Sequence, residues 1–294
     1  MGHWSDPAHR AVRMRAQCGH HLASVTPAYR GHAASGHLEE NRVPMETLVT
    51  SWGKMAYSQL TGTGVPLLFL HGTGCDSTDW APTLMSLPVG SHVVSLDFRG
   101  HGKSDVPQTG FTLEDLADDA ARLADHLQLP HVILVGHSLG GMAAMALARR
   151  STRVAGLVLL EGWTSLSAAN AFDSGRFYGT LPQSTVERIQ RKASETKVRF
   201  RPRIWDGFWH SVETFDAFAY LERASIPIVK VYGEMGRNRA TEQELWVPSN
   251  PRIEWLWIPN AGHYLPHERP SQVAAACIRE LQRVQEFMPP LVSA

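Results

Sequence analysis

The feature that most constrains the fold of this chain is a series of short runs that are apolar at consecutive positions. They are Pro66–Leu70, His92–Asp97, Val132–Val135, Val154–Leu160, Ile226–Tyr232 and Ile253–Ile258. A strand with one face in water alternates apolar and polar residues, whereas a strand covered on both faces reads as a continuous apolar run. Between these runs lie segments with helical spacing. Leu113–Leu127 carries Leu113, Leu116, Ala120 and Leu123/Ala124 on one face, with Thr112 as an N-cap three residues before Asp115. Leu139–Arg150 is Ala-rich, and Gln272–Phe287 is amphipathic. Glu46–Ser51 and Lys54–Leu60 read as two strands turning at Trp52-Gly53. The pattern predicts an α/β fold, a mostly parallel sheet with helices on both faces. In such sheets the reactive crevice lies beyond the carboxyl ends of the strands.

Composition narrows the function classes. Hydrophobic residues are 43% of the 294 and charged residues 19%, enough apolar material for a full core. Lys+Arg and Asp+Glu both number 28, so nothing in the charge balance favours nucleic acid or an anionic membrane. No apolar run approaches the ~18 residues that span a bilayer. Cys18, Cys75 and Cys277 are too scattered for a disulfide framework or a zinc site. Residues 1–44 hold six of the fifteen histidines and no sustained periodicity. They read as a disordered extension, with the folded domain at 45–294. Arg10, Arg13 and Arg15 are not followed by an apolar stretch, so no secretory signal is expected, although the Arg-rich start leaves a transit-peptide reading open. Cys18, His20 and His21 could ligate a metal, but no second ligand cluster stands near them, and a solvated tail is the expectation.

The chemistry centres on Gly136-His137-Ser138-Leu139-Gly140-Gly141, which follows the run at 132–135 and opens a helix. Strand, sharp turn and helix are the context in which a G-x-S-x-G sequence lifts a serine hydroxyl out of a sheet. Side chains at 136 or 140 would collide with the neighbouring chain.

With His71-Gly72-Thr73-Gly74, the segment Asp97–Ser104 and Gly262-His263, this motif resembles the α/β-hydrolase superfamily over roughly residues 45–290. The resemblance implies an eight-stranded, mostly parallel sheet, the nucleophile after its fifth strand, and acyl-transfer chemistry on esters, amides or thioesters without a cofactor. It places the catalytic histidine at His263. A histidine titrates near ~6.5 and can both take and return a proton. His137 and His267 are expected to be structural. Many relatives place the acid three residues past the glycine that ends the seventh strand; here that position is Gly236. Haloalkane-dehalogenase-like relatives place it one strand earlier, where this chain has Glu161. Glu161 is therefore assigned, with Glu234 as its rival. The resemblance also implies an oxyanion hole formed by the backbone N–H groups of Thr73 and Leu139.

Other features carry less. Cys75 is expected to be a buried thiol. Gly100-His-Gly-Lys-Ser104 lacks the first glycine of a phosphate loop, since that position is Asp97, and reads as a scaffold turn. Trp163–Glu222 separates two core strands and carries eleven of the 25 aromatic residues. It reads as a helical cap, with most rings packing and a few facing substrate, and with 186–198 a basic surface.

The expected function is hydrolysis of a neutral, hydrophobic ester, thioester or lactone through an acyl-enzyme. The alternatives are haloperoxidase-like perhydrolysis, carbon–carbon bond hydrolysis, and a non-enzymatic ligand receptor. A cytoplasmic monomer or homodimer is expected, with no metal, nucleic acid or membrane partner.

Overall fold

The computed structural model describes residues 44–171, 174–235 and 243–287. The expected extension (save Pro44), the Cys18/His20/His21 group and Gly236 lie outside them.

Eight strands form one sheet: β1 (Met45–Thr50), β2 (Gly53–Leu60), β3 (Thr63–Leu70), β4 (Ser91–Leu96), β5 (Val132–His137), β6 (Val154–Leu160), β7 (Ile228–Gly233) and β8 (Ile253–Ile258). Their spatial order is β1-β2-β4-β3-β5-β6-β7-β8. The β1–β2 and β2–β4 pairs are antiparallel, and every later pair is parallel. The α-helices are α1 (Ala81–Leu84), α2 (Leu113–His126), α3 (Leu139–Ala148), α4 (Gln183–Arg199), α5 (Pro202–Glu213), α6 (Phe218–Arg223), α7 (Leu265–Glu268) and α8 (Pro270–Phe287). No described helix is long and apolar enough to cross a membrane.

The central strands show why their sequences do not alternate. Leu68 and Leu70 of β3, Val132 and Leu134 of β5, and Leu157 and Leu159 of β6 enter a core shared with α2, α3 and the helices after β6. Leu67, Phe69, Ile133, Val135, Val158 and Leu160 enter a second core shared with α8 on the opposite face. Successive side chains point to opposite faces, and both faces are covered.

Helix α2 starts with a complete capping box. Thr112 Oγ1 accepts from Asp115 N–H, and the Asp115 carboxylate accepts from Thr112 N–H at 2.8 Å. Its apolar face buries the expected residues and, unexpectedly, Asp119. The Asp119 carboxylate accepts from Arg99 Nε at 2.7 Å, Arg99 Nη2 at 2.8 Å and Trp52 Nε1 at 2.8 Å. Arg99 also lies over the Trp52 ring. One buried carboxylate thus ties the β1–β2 turn, the segment after β4 and α2 together.

The chain between β6 and β7 forms α4, α5 and α6. Helix α5 ends at Glu213 and α6 opens at Phe218, and between them Ala217 N–H donates to Thr164 O. Phe200, Trp205, Phe208 and Phe215 enter the main core, with Phe208 stacked on Phe111 at 4.8 Å. The 186–198 surface is also more engaged than expected. Arg188 and Lys192 of α4 pair with Asp79, and Lys192 with Asp76, at 2.9–3.4 Å.

The segment 97–105 is a scaffold turn. Asp97 accepts from the N–H groups of Ser77 and Lys103, and Ser104 Oγ donates to Asp97 O. His101 is buried there, and burial together with nearby His71 pushes its pKa down to about 3.

Two stability measurements follow. Asp119→Ala removes the buried partner of Arg99 and leaves it only the half-exposed Asp115 at 3.3 Å, so it is expected to lower the unfolding free energy by about 2–4 kcal/mol; a denaturant midpoint equal to wild type contradicts this. His101 stays neutral when folded but takes a proton when unfolded below about pH 6.5. The unfolded chain then binds more protons, so stability falls as pH drops from about 6.5 toward about 3. Denaturant titrations between about pH 7.5 and pH 5 should show this decline, and His101→Asn should reduce its slope; an identical slope in the variant refutes the assignment.

Candidate active site

Ser138 stands at the carboxyl end of β5, where the strand turns into α3. Its φ is 52° and ψ −117°, a left-handed conformation that a serine adopts only when its surroundings impose it. Ser138 N–H donates to Leu160 O at 2.9 Å, and Ser138 O accepts from Gly141 and Met142 N–H. The glycines permit the crowding. A Cβ on Gly140 would lie 2.0 Å from Leu70 O, one on Gly136 2.4 Å from Gly140 O, and one on Gly141 2.6 Å from Gly162 Cα. From Val132 through Leu147 every residue is buried except Ser138, which retains partial exposure.

Glu161 directly follows β6, the adjacent strand, and also has a φ of 52°. Its N–H donates to Val231 O at 2.9 Å. Its carboxylate is fully buried, with Oε1 accepting from Gly233 N–H at 2.8 Å and Oε2 lying 3.4 Å from His263 Nδ1. The structure thus brings Glu161 against His263. Glu234, the rival acid, follows β7 and donates its N–H to Ile258 O.

His263 lies in the loop after β8 and is buried. Its N–H donates to Phe177 O at 2.9 Å, and its carbonyl lies 2.9 Å from His137 Nε2. The Phe177 ring stacks on the imidazole at 4.4 Å, and Trp163 flanks it at 5.5 Å. Burial, with nearby His263, pushes the His137 pKa well down. A neutral His137 carries one ring proton, and Nε2–H donating to His263 O accounts for it. The residue preceding Ser138 thereby fastens the loop that carries His263.

Thr73 lies in the loop after β3, and it alone retains partial exposure in 71–75. That loop presses on the turn: a Cβ on Gly72 would lie 2.9 Å from His137 Nδ1 and 3.3 Å from Ser138 Cβ. Leu139 N–H is the first of α3, so no carbonyl one turn earlier accepts from it. Cys75 is buried, and burial with the charge of Asp79 pushes its thiol well up, which keeps it protonated and unreactive.

Sequence reasoning missed three contacts here. The His137 tie has no motif of its own. Phe177 belonged to an aromatic-rich stretch without periodicity. His267, expected to be structural, lies 3.1 Å from Asp79, the buried carboxylate that also receives Lys192. Burial raises the Asp79 pKa, but the His267 hydrogen bond and the Lys192 charge outweigh it and hold the carboxyl well below its usual range.

The arrangement can activate a hydroxyl. A serine held out of the sheet, an imidazole from a later loop and a carboxylate orienting that imidazole are the parts of nucleophilic acyl transfer.

Known proteins share this architecture. The chain is 26% identical over 224 residues to the non-heme chloroperoxidase of Streptomyces lividans, covering 64% of this chain and 81% of that one. It is 35% identical over 113 residues to the 2-(acetamidomethylene)succinate hydrolase of Mesorhizobium japonicum, covering 38% and 41%. It is 32% identical over 187 residues to the non-heme haloperoxidase of Rhodococcus erythropolis, covering 62% and 60%. The chain thus spans less than two thirds of the length of several curated relatives. A solved structure of an N-acyl homoserine lactone degrading enzyme superposes with a TM-score of 0.63 at 27% identity, covering 80% of this chain and 99% of that one. A thermophilic esterase from Thermogutta terrifontis gives 0.60 at 25% identity, covering 82% and 99%. The alpha/beta hydrolase family model matches residues 67–276, most of the folded domain. With its eight-stranded sheet and family match, the chain belongs to the alpha/beta hydrolase family.

Proposed function

We propose that the protein is a serine hydrolase that cleaves a neutral, hydrophobic ester, thioester or lactone through an acyl-enzyme. The observation that carries this reading is Ser138, strained and partly exposed on its turn, in a site where Glu161 lies 3.4 Å from His263. In the first step His263 Nε2 takes the Ser138 proton as Oγ attacks the carbonyl carbon. Glu161 holds Nδ1–H and stabilises the imidazolium that forms. The N–H groups of Thr73 and Leu139 receive the oxyanion, each worth about 3–4 kcal/mol when lost. His263 then returns the proton to the leaving oxygen or sulfur. Water repeats the sequence on the acyl-serine and frees the acid.

The preference for a hydrophobic acyl group draws support from Phe177 and Trp163 flanking the imidazole. The lactone-degrading and esterase relatives fit the same chemistry. A cap role for α4–α6 fits the contact of α4 with the Thr73 loop, where a Cβ on Gly74 would lie 2.6 Å from Ala193 Cα. The haloperoxidase relatives support a second reading, in which hydrogen peroxide replaces water and the acyl-serine is released as a peracid.

p-Nitrophenyl ester kinetics test the assignment. Ser138→Ala is expected to lose at least about a thousandfold in kcat. Glu161→Gln should lose about a hundred- to ten-thousandfold, and Glu234→Gln should stay within about threefold of wild type. Near-normal turnover in Glu161→Gln refutes the acid assignment. Across acyl chain lengths, kcat/KM should be higher for butanoyl to octanoyl esters than for acetyl, and lower for acyl groups bearing a charge. A flat profile or a preference for charged acyl groups contradicts the hydrophobic assignment. Peracid formation on adding hydrogen peroxide, at a rate above ester hydrolysis, would favour the second reading.

A further inference from the structure

The loop after β3 meets two opposed demands. It lies so close to the serine turn that Gly72 has no room for a side chain: a Cβ there would stand 2.9 Å from His137 Nδ1 and 3.3 Å from Ser138 Cβ. Yet glycines on both sides of Thr73 leave the Gly72–Thr73 peptide group with little steric control over its rotation. Its orientation has to come from hydrogen bonds.

Gly72 O receives two of them. Cys75 N–H donates at 3.2 Å and closes a tight turn, in which Gly74 takes a φ of 69° at the third position. The second comes from the preceding residue: His71 Nδ1 lies 2.8 Å from Gly72 O. His71 is buried, and its Nε2 accepts from Phe98 N–H, just beyond β4, at 3.0 Å. A backbone N–H can only donate, so Nε2 is the bare nitrogen and the ring proton sits on Nδ1, facing the carbonyl. The two contacts fix one tautomer and one ring orientation, and the Phe98 and His101 rings pack beside it at 4.9 and 5.1 Å.

In a trans peptide the C=O and N–H point in opposite directions, and the described residues contain no cis peptide bond. Gly72 O faces inward to the buried imidazole, so the N–H of the same group, that of Thr73, faces away from it. Among the described residues this N–H has no acceptor, and Thr73 is the partly exposed residue of the loop. A donor that is held in place but unpaired is what a developing oxyanion requires.

We propose that His71 is a positioning residue of the oxyanion hole: by donating Nδ1–H to Gly72 O it turns the Thr73 N–H toward the crevice in which Ser138 stands. The proposal rests on the serine-hydrolase reading, in which that N–H receives the oxyanion. His71 touches neither substrate nor the reacting atoms; it acts through one peptide group. Without its proton on Gly72 O, the bond from Cys75 N–H is left alone to hold that group. The peptide then samples other rotations, and the donor is preorganised for only part of the time. The loss falls on the transition state, where the oxygen carries charge, and spares the bound substrate.

Two variants separate the Gly72 bond from the Phe98 bond. His71→Asn places an amide nitrogen where Nδ1 stands, and His71→Gln places an amide oxygen where Nε2 stands. For a p-nitrophenyl ester, His71→Gln should lose about ten- to a hundredfold in kcat and in kcat/KM together, with KM little changed, and His71→Asn should stay within about threefold of wild type. Near-normal turnover in His71→Gln, or an equal loss in His71→Asn, overturns the proposal. Nitrogen NMR of labelled wild type should show His71 protonated at Nδ1 and bare at Nε2; the opposite tautomer overturns the proposal with no variant required. A crystal structure of His71→Gln should show the Gly72–Thr73 peptide rotated, and an unrotated peptide overturns it. If His71→Gln does not fold, His71→Asn decides, and a loss beyond about threefold there overturns the proposal. A rotated peptide in a protein whose wild type hydrolyses no ester sustains the positioning and removes the hydrolase reading alone.

Discussion

The structure depends on one constrained turn. Ser138 is held at a positive φ because β5 must stop, reverse and enter α3 within the space left by β3 and β6. Three glycines make that possible: each occupies a position where a methyl group would stand 2.0–2.6 Å from a neighbouring backbone atom. The strain is sustained because Leu160 O receives Ser138 N–H and the first turn of α3 closes on Ser138 O. A turn fixed by backbone contacts on several sides presents its hydroxyl the same way each time, as electrostatic preorganisation requires.

The other parts of the site are fastened to that turn and to one another. The β3 loop leans on it through Gly72, and His137 bonds the carbonyl of His263. His263 is further fixed by Phe177, whose carbonyl receives its N–H and whose ring covers its face. Gly262 N–H is held by the Glu268 carboxylate, which also receives Thr180 N–H, so the loop after β8 is anchored to the chain that precedes α4. Glu161 bridges β6 to β7 through Gly233 N–H while its other oxygen faces the imidazole. Four segments distant in sequence therefore meet at the carboxyl ends of adjacent parallel strands, where such sheets leave a crevice.

Much of this was legible in the residues. Continuous apolar runs gave the doubly covered strands, because side chains on both faces must be apolar when both faces are covered. Thr112 and Asp115 marked the start of α2, since a capping box is a local device with a local signature. The serine turn was readable because glycine is the only residue that fits its walls. What stayed hidden was tertiary. Asp119 lies on an otherwise apolar helix face, and only the position of Arg99 and Trp52 explains it. The charges of α4 looked solvated because their partners, Asp76 and Asp79, lie more than a hundred residues earlier. Lys230 sits within an apolar run, and nothing in its sequence neighbours signals that its amine is fully buried and donates to Thr164 Oγ1. The position of the acid came from a resemblance, and the packing of Glu161 against His263 is information that only three-dimensional structure supplies.

The central claim is that Ser138, His263 and the backbone of Thr73 and Leu139 act on one reacting atom. A crystal structure of the protein after reaction with an alkyl phosphonate ester examines this directly, because phosphorus stands where the tetrahedral carbon would be. The account predicts a covalent bond from Ser138 Oγ to phosphorus, His263 Nε2 turned toward that oxygen, and the phosphonyl oxygen within hydrogen-bond distance of both N–H groups. A phosphonate attached to another residue, or a phosphonyl oxygen directed away from Thr73 and Leu139, contradicts it.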